Sequence, residues 1–162
     1  MSRVNQTITS DDPHRIGNCL PACVASLLNR PLDEVPHFAE EGLILGDTLA
    51  DGVGHGTAWW AMLLGYMAAN GYAPIELDHV DQGEPGEYLF VAGPSPRGVM
   101  HQVLYRDGAL WHDPHPSGDG LAEVREVLAW RPRRWDHRPS EPPAPPAPEP
   151  EQPGEPEGVP DA

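Results

Sequence analysis

Two cysteines occur in the 162 residues, Cys19 and Cys23. Cys19 follows Gly17-Asn18 at the expected start of a helix, where free backbone amides and the helix dipole stabilise an anion and should lower a thiol pKa toward neutrality. Cys23, one turn further on among Ala22, Val24 and Leu27, is expected to fill the core as a small hydrophobe. A thiolate that attacks a carbonyl carbon needs a base within hydrogen-bond reach and a third group to orient that base. His101, early in the segment Val99 to Tyr105, and Asp113, at the end of Ala109 to Asp113, are the candidates for those roles. A buried structural Cys19 is the bland alternative, since free cysteines are often fully buried. Zinc is a second alternative, with Cys19 and Cys23 joining His101 and His112 or His115. No tight Cys-x-x-Cys knuckle is present and Cys23 has apolar neighbours, so neither metal nor cofactor is expected.

The elements that must position these residues follow from periodicity. Leu20, Cys23, Val24, Leu27 and Leu28 recur at helical spacing and predict a helix from about Cys19 to Asn29, with Asn18 as its cap and Arg30-Pro31 as its end. Leu32 to Phe38 reads as a helical turn. Glu40 to His55, rich in glycine, reads as a loop able either to cover a substrate or simply to turn the chain. A second helix is expected from Ala58 to Asn70, capped by Thr57 and ended at Asn70-Gly71. Beyond residue 72 the segments Ala73 to Asp78, Glu87 to Ala92, Val99 to Arg106, Ala109 to Asp113 and Val124 to Arg131 alternate with Gly, Pro and Asp clusters, as in an antiparallel sheet. Helices first and strands afterwards predict an α+β domain.

Whether His101 can meet Asp113 depends on one hairpin. A three-residue loop, Arg106 to Gly108, pairs Tyr105 with Ala109 and sets His101 opposite Asp113 on one face. A two-residue loop, Asp107-Gly108, pairs His101 with Pro114 and turns Asp113 to the other face. The dyad therefore requires the longer loop or a bulge near the open end of the hairpin.

Composition divides the chain at 1–138 and 139–162. The last segment has ten prolines, five glutamates and no aromatic residue, too little apolar surface to offset the entropy of ordering, and reads as a disordered tail. All ten basic residues are arginines ahead of Pro139, facing nineteen acids there, within a chain of net charge -15. That sign opposes a nucleic-acid phosphate backbone. The cluster Arg131, Arg133, Arg134 and Arg138 around Trp135 reads as a solvated edge or a latch onto the acidic surface. No apolar run reaches the roughly 18 residues of a membrane span, and a cytoplasmic protein with reduced thiols is expected.

Gly17-Asn18-Cys19-Leu20-Pro21-Ala22-Cys23-Val24-Ala25-Ser26-Leu27-Leu28 resembles the nucleophile helix of the papain-like cysteine peptidase superfamily, most of all its compact bacteriocin-leader-processing (double-glycine) branch. His101-Gln102-Val103-Leu104-Tyr105 and Trp111-His112-Asp113-Pro114 look like that branch's histidine strand and Asp-Pro segment. The resemblance covers residues 6 to 116, with specific matches at those blocks. It departs in Leu20, where the family has glycine, and in Gln6, which precedes Cys19 by thirteen residues. It implies a papain-like fold, Cys19 as nucleophile, His101 as base, Asp113 as orienter, and Gln6 as the side-chain donor of an oxyanion hole. The implied reaction is hydrolysis of a peptide or isopeptide-like amide in a peptide or protein substrate. Transfer to an amine and deamidation use the same three residues, and a noncatalytic protein-binding module with a peptidase-like fold is the alternative of a different class.

Overall fold

In the computed structural model, which describes residues 1–10, 15–50 and 53–133 with the backbone alone at 49–50 and 53–55, the first helix, α1, spans Cys19–Leu28. Ala22, Cys23, Val24 and Ala25 are fully buried, and Leu20, Leu27 and Leu28 pack against the same core. The helix ends where Asn29 turns left-handed at φ 53°. The amides of Asn29 and Arg30 then fold back onto the carbonyls of Ser26 and Ala25 at 3.2 and 2.9 Å, which satisfies the last turn without continuing it.

The expected loop over residues 40 to 55 is instead a short helix, α2 (Phe38–Ile44), and a two-stranded hairpin, β1 (Thr48–Ala50) with β2 (Val53–His55). Local signal underestimates α2 because its anchor is tertiary: Phe38 is fully buried and meets the Tyr66 ring edge-on at 5.6 Å. Glu40 and Glu41 in its first turn complement the helix dipole.

Helix α3 spans Ala58–Ala69 and buries Leu63 and Met67. Thr57 makes no side-chain cap. Asp47 does that work from eleven residues upstream, its two carboxylate oxygens accepting from the amides of Ala58 and Trp59 at 3.1 and 2.9 Å. Gly42 and Gly56 both leave the space that this carboxylate occupies. Gly71, at φ 86°, turns the chain out of the helix into the sheet.

The sheet has five antiparallel strands, β3 (Tyr72–Leu77), β4 (Tyr88–Pro94), β5 (Met100–Arg106), β6 (Ala109–His112) and β7 (Glu126–Pro132), in the order β3-β7-β4-β5-β6. One face carries Phe90, Leu104 and Trp130 against Val24, Phe38, Leu63 and Met67 of the helices. The other carries Leu89, Val91, Val103, Val127 and Ala129 beneath Leu77, Val80 and Leu121. The architecture is α+β, as the order of elements implied. Among the described residues no helix is long and apolar enough to cross a membrane. Arg131 is held by Glu87 through two bonds of 2.8 and 3.1 Å, so this member of the arginine cluster latches onto an acidic neighbour. The boundary at 138 and the segment 139–162 lie outside the described residues.

Candidate active site

The β5–β6 hairpin decides whether His101 and Asp113 share a face. Its loop is the two-residue Asp107-Gly108, both at positive φ (51° and 77°), and Arg106 pairs with Ala109. Had the register continued, Asp113 would face away from His101. Between Leu104 and Tyr105 it shifts: Tyr105 pairs with Leu110, yet Leu104 pairs with His112, leaving Trp111 as the extra residue of a bulge. Because side chains alternate with period two, one inserted residue returns Asp113 to the face of Val103 and His101. Of the two registers open to the sequence, the short loop is the one adopted, and a bulge supplies the missing residue.

His101 Nε2 and Asp113 Oδ1 lie 2.6 Å apart, with both side chains 3% exposed. Asp113 also accepts the amides of His115 and Gly120, each at 2.8 Å, so the loop after β6 wraps its carboxylate. Burial pushes the Asp113 pKa up, but the bonds from His101, His115 and Gly120 together outweigh it and hold the group below its ordinary value. Burial lowers the His101 pKa, and the Asp113 contact only partly restores it. The ground state is therefore a neutral imidazole against a carboxylate. With the proton on Nε2, facing Asp113, Nδ1 is left as the free acceptor. The ring of His115 stands edge-on to His101 at 6.1 Å.

β6 stops opposite Leu104, so the polar backbone of Gln102 is left without a strand partner on that side. Helix α1 takes the vacant place. The Gln102 amide draws the Cys19 thiol pKa down, and its carbonyl accepts from Cys23 Sγ at 3.6 Å. Cys19 is thereby set against the residue that follows His101, and both line one cavity of about 200 Å³ with Met100, Gln102, Trp59 and His37. Among the described residues no hydrogen bond joins Cys19 to His101 directly.

Two expectations are corrected here. Asn18 does not cap α1 with its side chain, because Oδ1 is occupied by the amides of Thr7 and Ile8 at 3.0 and 2.9 Å. The Cys19 thiol is not depressed either. Desolvation raises it above its ordinary value, and the amides of Gln102, Leu20 and Cys19 itself offset that only in part. The start of α1 packs against β5, and at the half-buried Cys19 the cost of desolvation outweighs the pull of the backbone amides. Burial raises Cys23 further, in keeping with a core role.

Gln6 is buried, and its backbone amide donates to the Pro114 carbonyl at 2.9 Å, which ties the N-terminal segment alongside Asp113. Its Nε2 donates to the Ile8 carbonyl at 2.9 Å, and that same oxygen accepts the Asn18 amide at 3.1 Å. The Gln6 side-chain amide thus sits beside the residue that precedes Cys19. His112, buried, bonds the Val4 carbonyl at 2.8 Å and fixes the same segment. Among the described residues no cluster of three or more His, Cys, Asp or Glu side chains has the geometry to hold a metal ion.

Sequence reading overlooked Asp47, which fixes Trp59 in the cavity wall, and Gly93, which pairs with His101 across β4–β5. A Cβ at Gly93 would strike the Glu123 backbone. Neither carries a local signature, because each acts on a partner remote in sequence. No protein-family model, curated protein or solved structure matches the chain.

Proposed function

We propose that this chain is a papain-like, cysteine-dependent hydrolase that cleaves a peptide or isopeptide-like amide, with Cys19 as nucleophile, His101 as base and Asp113 as orienter. The observation that carries the reading is the buried 2.6 Å His101–Asp113 pair placed in the same cavity as a cysteine at a helix start. A buried carboxylate is costly unless hydrogen-bonded, and Asp113 accepts from His101 and from the amides of His115 and Gly120. Among the described residues no hydrogen bond engages His101 Nδ1, which suits a proton acceptor.

In the reaction the Cys19 thiol gives its proton to His101 Nδ1 as sulfur attacks the carbonyl carbon, and the carbonyl electrons move onto oxygen. The Cys19 amide and the second Gln6 Nε2 proton are the donors assigned to that oxyanion; losing one such donor typically costs about 100- to 1,000-fold in rate. Collapse expels the amine, protonated by the imidazolium. Water, deprotonated by His101, then attacks the thioester, and the acid product leaves with the thiol restored.

Mass spectrometry with a peptidyl electrophile and a peptide library tests the proposal. Wild type and Cys23→Ser should form one adduct and cleave, whereas Cys19→Ser should do neither. Cleavage by the Cys19→Ser variant, or a folded wild type that neither reacts nor cleaves, overturns it. The raised thiol and the missing Cys19–His101 bond favour a second reading, a noncatalytic protein-binding module, and that last outcome would select it.

A further inference from the structure

A second cavity, of about 450 Å³, adjoins the one that holds Cys19 and His101. The two share Leu20, Trp59, Ala92, Gln102 and Glu126 as walls, so they form one continuous cleft with the candidate nucleophile at one end. The far end is floored by Trp60, Leu63, Phe90 and Leu128. Trp59 and Trp60 meet edge to face at 5.6 Å, and Trp60 in turn rests on Trp130 at 6.3 Å. This aromatic floor has room for one large side chain.

The rim has a definite charge. Glu76 on β3 pairs with Leu128 on β7, and Glu126 lies two residues before Leu128 on the same face, so the two carboxylates are diagonal neighbours. Both are exposed, and among the described residues neither forms a salt bridge. Arg125 also lines this cleft, but Glu123 engages its guanidinium at 3.3 Å. Adjacent like charges repel each other, and a cation placed between them relieves that repulsion.

We infer that the cleft is a recognition site for an extended peptide presenting a large apolar side chain, aromatic or aliphatic, next to a lysine or arginine. The apolar group covers the Trp60, Leu63, Phe90 and Leu128 floor, and the cation lies between Glu76 and Glu126, within reach of the Trp59 face. The assignment rests on the hydrolase reading for what happens at Cys19, but not for binding.

The test separates the two. Binding is measured by tryptophan fluorescence on the Cys19→Ser protein with three capped pentapeptides that differ only in Lys, Gln or Glu beside a central leucine. The Lys peptide should bind about tenfold more tightly than the Gln peptide at low salt, since two exposed ion pairs contribute roughly that much. The advantage should shrink as salt is raised. In the Glu76→Gln, Glu126→Gln double variant, whose replaced groups are exposed and whose fold is verified by circular dichroism, the Lys and Gln peptides should agree within about twofold. Replacing the central leucine by glycine should abolish the fluorescence change. Equal binding of the Lys and Glu peptides, or a preference unmoved by the double variant, overturns the inference even if wild type cleaves all three. The predicted preference in a wild type that cleaves none upholds this inference and refutes the hydrolase instead.

Discussion

At the scale of single residues, the protonation state of the Cys19–His101 pair sets the chemistry. A raised thiol beside a lowered imidazole is a neutral pair, so in the proposed reaction His101 would take the proton during attack and would not stand ready as an imidazolium beside a thiolate. The pH profile of kcat/KM distinguishes the two. For the neutral pair, activity rises as His101 loses its proton, with a midpoint below the ordinary imidazole value of 6.5, and then stays level on the alkaline side of neutrality, because the Cys19 thiol is raised above its ordinary value. A standing ion pair would instead lose activity on the alkaline side of neutrality as the imidazolium titrates. Asp113→Asn leaves a carbonyl oxygen for one amide but an NH2 group facing a donor, and it reverses the preferred His101 tautomer. The expected loss is about 10⁴-fold in kcat, with cavity binding of peptide retained, measured by turnover against fluorescence titration.

At the scale of elements, the site depends on joints that belong to no single segment. Asp47, just ahead of the β1–β2 hairpin, caps a helix that begins eleven residues later, and in doing so holds Trp59 in the cavity wall. Asp47→Ala should cost about 0.5–2 kcal/mol by urea unfolding, the usual range for a lost N-cap, and Asp47→Asn clearly less. Gly93 is a second joint. It carries no positive φ; it is glycine because the 123–125 segment crosses it too closely for a Cβ. Gly93→Ala must push that segment off β4 beside His101, and a destabilisation of about 1–3 kcal/mol is expected in the same measurement.

At the scale of the whole molecule, acid is the condition that should unfold this protein. His101 has a folded pKa below 6.5, so below that pH the unfolded chain binds the proton first and stability declines as pH falls. Asp113, folded below its ordinary 3.8, acts in the same direction at lower pH: its contribution is complete above 3.8 and is lost as pH falls through the folded value. The melting temperature should therefore drop between pH 7 and 5, and His101→Gln should flatten that drop, as differential scanning calorimetry would record. Truncation after Arg138 removes none of the described elements, since β7 ends at Pro132 and Arg133 closes on the Gly71 carbonyl at 2.7 Å. The shortened chain should keep one cooperative transition; a broadened or absent one would reassign part of 139–162 to the domain.

The sequence alone carries the helices α1 and α3, the five strands of the larger sheet to within a residue or two, and the α+β order, because each rests on a period or a turn read over a few neighbours. It also singled out Cys19, His101 and Asp113 as the groups worth joining. It left the His101–Asp113 contact open, because a bulge at Trp111 is a one-residue displacement with no compositional mark, and only the packing of β6 against β5 selects it. It misplaced the cap of α3 and read α2 as loop for the same reason: Asp47 and Phe38 act on residues distant along the chain. The thiol was misjudged most instructively. A helix start lowers a thiol pKa only where desolvation does not outweigh the backbone amides, and the burial that raises Cys19 comes from tertiary packing alone.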